Sequence, residues 1–220
     1  MRTEPASRAA VVSAAAVTLG VAAVCWVIAI RQLDGMDMGV STEPGSFAFF
    51  IGVWVSMMAA MMLPGALPAV LRRARTSAHV HDVLLFAASY LLVWTVAGLA
   101  VYGLDRPHSA AVAGALTVAA GVYELTPLKR ACRRRCRENR RSGLGFGLAC
   151  VGSSAGLMVT LVAVGLMSLR WMVIVTALVV AQKLLPQRPL VDVPLALAIV
   201  SLGVVIVLAP GSVIGLNPPM

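Results

Sequence analysis

The chain has 220 residues, 60% of them hydrophobic and only 12% charged, against about 45–50% and about 25% in soluble domains. The apolar residues lie in long blocks that nearly exhaust the length, which leaves no room for a separate soluble domain. The net charge of +9 does not indicate nucleic acid, because the positive residues sit in short loops between those blocks, and four scattered cysteines are too few for a disulfide framework.

A bilayer core of roughly 30 Å takes about 20 apolar residues per helix. The pattern predicts an all-α, polytopic transmembrane bundle of seven helices, a single domain over 9–208 between a cytoplasmic N-terminus, 1–8, and a tail, 209–220. The first run, 9–30, is too long for a signal h-region of about 7–15 residues and reads as a retained anchor. The second, 47–70, carries Pro64 and Pro68, which kink or end a helix and free carbonyls that lipid cannot satisfy. The third and fourth are 83–104 and 110–128. The fifth, 144–169, is long enough to tilt. The sixth, 171–185, is short for a full span, and the seventh is 190–208. With the N-terminus inside, 15 of the 18 Lys and Arg fall in cytoplasmic segments, which supports N-terminus in, C-terminus out and a multi-pass location in the cell membrane. Cytoplasmic residues 129–141, the most basic stretch, would meet anionic lipid head groups.

The sharpest chemical feature is W-V-S-M-M-A-A-M-M-L-P at 54–64. On a helical wheel Met57, Met61, Trp54, Met58 and Met62 fall at about 0°, 40°, 60°, 100° and 140°. Thioether sulfur is a soft ligand that favours Cu(I), and an indole face attracts cations; the competing reading is that methionine fills gaps between packed helices. Outside the second run, D-G-M-D-M-G places Met36 and Met38 between carboxylates, as a capture site or as a plain solvated turn. Cys132 and Cys136, four residues apart, would share one face of a helix among arginines that favour thiolates. Cys150 on the fifth run is a further thiolate candidate, with a small buried apolar residue as the alternative. Glu124 and Tyr90 lie at a similar inner depth, and Glu124 is close enough to Lys129 to pair with it. Gly152 and Gly156 form a small-xxx-small pair suited to close helix packing. His79 and His81, in a polar loop, carry a weaker signal.

These motifs together resemble a bacterial family described as predicted metal-binding integral membrane proteins and catalogued as a domain of unknown function. The resemblance rests on W-V-S-M-M-A-A-M-M-L-P-G-A-L-P at 54–68, Y-L-L-V-W at 90–94 and G-V-Y-E-L-T-P-L-K-R-A-C-R-R-R-C-R at 121–137. It continues through G-L-A-C-V-G at 147–152 and K-L-L-P at 183–186. It implies a polytopic protein that handles metal, plausibly copper. The chain departs from the family pattern where Ser153 and Ser154 replace cysteines, Gln182 an acid and Glu124 a glutamine. Hydroxyls are poor substitutes for thiolates on a soft metal.

The reading is a non-enzymatic membrane protein that binds or passes a soft transition metal such as Cu(I) and exchanges it with a donor or acceptor protein. No catalytic constellation of recognisable spacing is present. The alternative is a structural or assembly subunit that binds a partner protein or anionic lipid without metal.

Overall fold

The computed structural model describes residues 8–33, 46–76, 80–104, 109–138, 142–165, 168–185 and 189–209. These form eight helices: α1 (Arg8–Leu33), α2 (Phe47–Thr76), α3 (Val80–Leu104), α4 (Ala110–Glu124), α5 (Pro127–Glu138), α6 (Gly143–Gly165), α7 (Leu169–Leu184) and α8 (Pro189–Leu208). No strand occurs among the described residues. Five of the helices, α1, α2, α3, α6 and α8, are long and apolar enough to cross a membrane, and α4 with α5 would make a sixth if counted as one bent span.

One of the seven expected runs differs from its expected form, and the sixth, expected to be short for a full span, is so. The run expected over 110–128 is two helices that meet at 63°. Pro127 opens α5; it has no N–H to continue the α4 ladder and it biases Thr126 away from helical backbone. The Thr126 hydroxyl accepts a hydrogen bond from the Lys129 amide at 3.3 Å and so serves the new helix as a cap. Residues 129–138, expected as a basic loop, are therefore helical and packed against α6. The sixth run, α7, has 16 residues, about 24 Å at 1.5 Å per residue, short of a hydrocarbon core of roughly 30 Å. In α2, by contrast, Pro64 and Pro68 lie inside one continuous helix that runs on past 70 to Thr76.

Helix α2 is the hub. It packs on α1, α3 and α7, and residues 56–63 are buried around the whole circumference. Its indole Trp54 donates to the Trp94 carbonyl at 2.8 Å. The rings of Phe50 and Trp54 stack with centroids 5.8 Å apart. Glycines set the close approaches elsewhere. Gly143 lies against the Phe86 carbonyl and Gly147 against Val93, which brings α3 and α6 together running in the same direction. Gly114 and Gly121 lie against Val207 and Val200, so α4 and α8 run antiparallel. Gly152 and Gly156 of the small-xxx-small pair face Cys132 of α5 and Glu124 of α4. Helix α6 ends at Gly165, whose φ of 130° only glycine adopts readily.

At Gly98 an added methyl would stand 2.4 Å from the Trp54 ring, which is itself buried and hydrogen-bonded. Gly98→Ala is expected to destabilise the protein by about 1–3 kcal/mol, read as a lower melting temperature in detergent.

Candidate metal centre

The site forms where the C-terminal halves of α2 and α7 meet the N-terminal halves of α3 and α6, with α5 across them. Tyr90, on α3, is fully buried and packs its ring on Phe146 of α6 at 5.2 Å between centroids. Its hydroxyl lies 3.3 Å from the Cys150 sulfur and 3.5 Å from the Met62 carbonyl. Cys136 comes from α5 and lies within side-chain hydrogen-bonding reach of Cys150. Lys183, at the end of α7, places Nζ 3.5 Å from the Tyr90 hydroxyl and 3.8 Å from the Met62 sulfur, and also reaches Cys150. Two thiols, a thioether, a phenol and an ammonium are thus gathered around Cys150.

Local sequence explains the convergence. Gly65 directly follows Pro64, and a Cβ there would stand 2.6 Å from the Lys183 Cδ, so the lysine stem crosses α2 at this glycine and would have to shift for any larger residue. The i, i+4 spacing of Cys132 and Cys136 puts both on the α6 side of α5, as the sequence suggests. They do not act at one point, however: Cys132 rests on Gly152 while Cys136 meets Cys150 two residues earlier on α6.

A polar cluster braces this arrangement. Glu124 ends α4 and is 2% exposed. Its Oε2 accepts hydrogen bonds from Lys129 and, at 2.8 Å, from Gln182. The pairing with Lys129 considered from sequence is thus present, and Gln182 of α7 joins it. Oε1 is buried without a hydrogen-bond partner and packs over Gly156. Burial lowers the pKa of the Lys129 ammonium, against the opposing attraction of Glu124. Beside it, Arg133 is 5% exposed and pairs with Asp192 of α8 at 2.7 Å. Arg133 also donates to the carbonyls of Gln182 and Leu185, and Arg137 to that of Leu185. Two guanidiniums therefore cap the C-terminus of α7, where carbonyls lack intrahelical partners. Lys129 and Arg133 are turned inward, so among the described residues of this run only Arg130, Arg134 and Arg135 of its basic side chains are exposed as expected.

Against this core opens a cavity of about 350 Å³, lined among others by Gly65, Cys136, Ser153, Ser154, Gln182 and Lys183. Ser153 donates to the Cys150 carbonyl at 2.9 Å. Ser153 and Ser154, where the resemblance read from the sequence expects cysteines, lie in the wall of the cavity that holds Cys136.

The other sequence candidates fall as follows. Met57, Met58 and Met61 are fully buried in α2, but burial on every side of that segment does not single out a shared face. Trp54 is engaged with α3. Met36, Met38 and His79 lie outside the described residues. Among the described residues no three His, Cys, Asp or Glu side chains are grouped to hold a metal; the cluster here is mixed thiol and thioether. Sequence reading missed Lys183 and Gly65 as parts of the site. The available signal was a lone lysine at the end of an otherwise apolar helix and a glycine next to a helix-interior proline.

No curated protein and no solved structure matches the chain. A family model described as copper chaperone, PpoB2, matches residues 51–206, which takes in α2 to α7 and every residue of the cluster around Cys150. The chain belongs to the PpoB2 family of copper chaperones.

Proposed function

We propose that the protein is a multi-pass membrane chaperone for Cu(I), which it binds through the sulfur atoms of Cys136, Cys150 and Met62. The observation that carries this reading is the juxtaposition of the buried Cys136 and Cys150 thiols, with Lys183 linking Cys150 to the buried Met62 sulfur. Thiolate and thioether are the donors that select Cu(I) among available ions. The family description supports copper as the cargo.

The membrane location is supported by five long apolar helices. It is supported also by the leucine and valine side chains that α1, α3 and α8 expose outward, among them Val24, Leu92, Val96, Leu197 and Val204. So wide an apolar surface needs lipid or protein to cover it. The excess of Lys and Arg at the end of the bundle that holds the site supports a reading with that end, and the N-terminus, in the cytoplasm.

Within this reading Lys183 has a defined role. Its Nζ lies 3.8 Å from the Met62 sulfur, so a positive charge is held beside the proposed sulfur donors, on a flexible stem that could move past Gly65 to admit Cu(I). The reduced cytoplasm keeps the thiols available. Met57, Met58 and Met61 extend a buried thioether path along α2 toward its N-terminal half, and Met36 with Met38 would offer copper outside.

The test is titration of the purified protein in detergent with Cu(I), under reducing conditions, against a chromophoric chelator. One Cu(I) per chain is expected. Met62→Leu should weaken binding by at least about 10-fold, in the range seen when contacts around a metal are lost. Met57→Leu, which removes a thioether remote from the two thiols, should leave the affinity unchanged. Equal effects from Met57→Leu and Met62→Leu, or no bound copper, would refute the assignment.

A further inference from the structure

The cavity beside Cys136 is not neutral. Among the described residues Lys183, Arg133 and Arg137 line it, and no carboxylate does. Asp192 offsets Arg133. Among the described residues, neither Arg137 nor Lys183 has a carboxylate at ion-pair distance. The buried Nε of Arg133 has no hydrogen-bond partner, and an unmet buried donor favours an incoming acceptor. Ser153, Ser154 and Gln182 add neutral hydrogen-bonding groups to the wall. At about 350 Å³ the space matches the lower range of small-molecule pockets and is concave, unlike a protein docking face. A bare monovalent cation would be repelled by this wall. The charge fits the opposite kind of visitor, an anion, and the thiol of Cys136 in the same wall fits one that carries soft metal.

We infer that this cavity receives Cu(I) as its complex with a small anionic thiol, and that Cys136 is the first protein ligand to take the metal. The inference rests on the copper reading above and specifies the form in which the cargo arrives or leaves. The step is a ligand exchange with no change of oxidation state. A copper–sulfur bond to the carrier breaks, a copper–sulfur bond to Cys136 forms, and the Cys136 proton passes to the released carrier thiolate. A second exchange with Cys150 frees the remaining carrier thiol in the same way. Arg137, half-buried at the rim, and Lys183 hold the carrier's carboxylates while the exchange occurs.

The experiment measures the initial rate of Cu(I) transfer to the full chain in neutral detergent at low salt. Three carriers are used: glutathione (anionic), 2-mercaptoethanol (neutral) and cysteamine (cationic). The expected order is glutathione, then mercaptoethanol, then cysteamine, with at least about a 10-fold spread, the lower range of electrostatic steering, that collapses as salt is raised. Arg137→Gln should remove most of the preference for glutathione while the final copper stoichiometry stays unchanged, and Arg137→Lys should retain it. Equal rates from all three carriers, or a preference that survives Arg137→Gln, would overturn the inference while leaving copper binding intact. Transfer from no carrier would instead remove the copper reading beneath it.

Discussion

Changing Cys150 to serine is expected to lower Cu(I) affinity by more than about 100-fold, while leaving the helical fold in place. Loss of a group that merely orients a metal ligand already costs about 10–100-fold, and this change removes a proposed ligand itself. Cys150 is fully buried and meets Cys136, Tyr90 and Lys183 together. Serine keeps a hydroxyl for the hydrogen bond with Tyr90 but offers a hard oxygen to a soft ion. Cys136→Ser should show a loss of similar size, whereas Cys132→Ser, one turn away against Gly152, should retain binding. The readout is competition with a chromophoric Cu(I) chelator, with circular dichroism to show that the fold survives. The converse change follows from the cavity wall: Ser154→Cys adds a third thiol beside Cys136 and is expected to tighten binding.

The second large effect concerns stability. Glu124→Leu is expected to destabilise the bundle by about 3–5 kcal/mol, because it strands the buried Lys129 ammonium, whose side chain is only 3% exposed. It also removes the acceptor for Gln182, which ties α7 to the bend between α4 and α5. Glu124→Leu with Lys129→Leu should recover most of the loss, since an apolar pair of similar volume avoids the cost of burying charge. Denaturation in mixed detergent micelles would measure both, and a double variant no better than the single one would show that the ion pair is not the source of the effect.

The resemblance read from the sequence expects glutamine at 124 and an acid at 182, where this chain has Glu124 and Gln182. The two side chains are hydrogen-bonded to each other at 2.8 Å, and Glu124 supplies the negative charge that pairs with Lys129.

Much of the helical layout was legible in the sequence because apolar runs are a direct record of what must avoid water. The chemical pattern of the site was legible in part. Cys132 and Cys136 share a helix face because their spacing is one turn, and Glu124 lies near Lys129 because they are five residues apart. What could not be read is that the chain beyond the break at Pro127 is a helix, since a basic run after a proline looks the same whether it is a loop or a helix packed on α6. Nor could the partnership of Lys183 with Met62, which joins residues 121 positions apart; it depends on α7 lying against α2, and no local pattern encodes that. The methionine stripe shows the opposite failing. Its helical-wheel arc is sharp, yet α2 is enclosed on all sides there, so the arc alone does not separate ligand from core, and only Met62 has a sulfur in contact with another polar group of the site.

X-ray absorption at the copper edge on the Cu(I)-loaded protein tests the centre most directly. The structure predicts one Cu(I) per chain in an all-sulfur shell that is lost in the Cys136→Ser, Cys150→Ser double variant. A shell of nitrogen and oxygen, or copper retained unchanged by that variant, would contradict it.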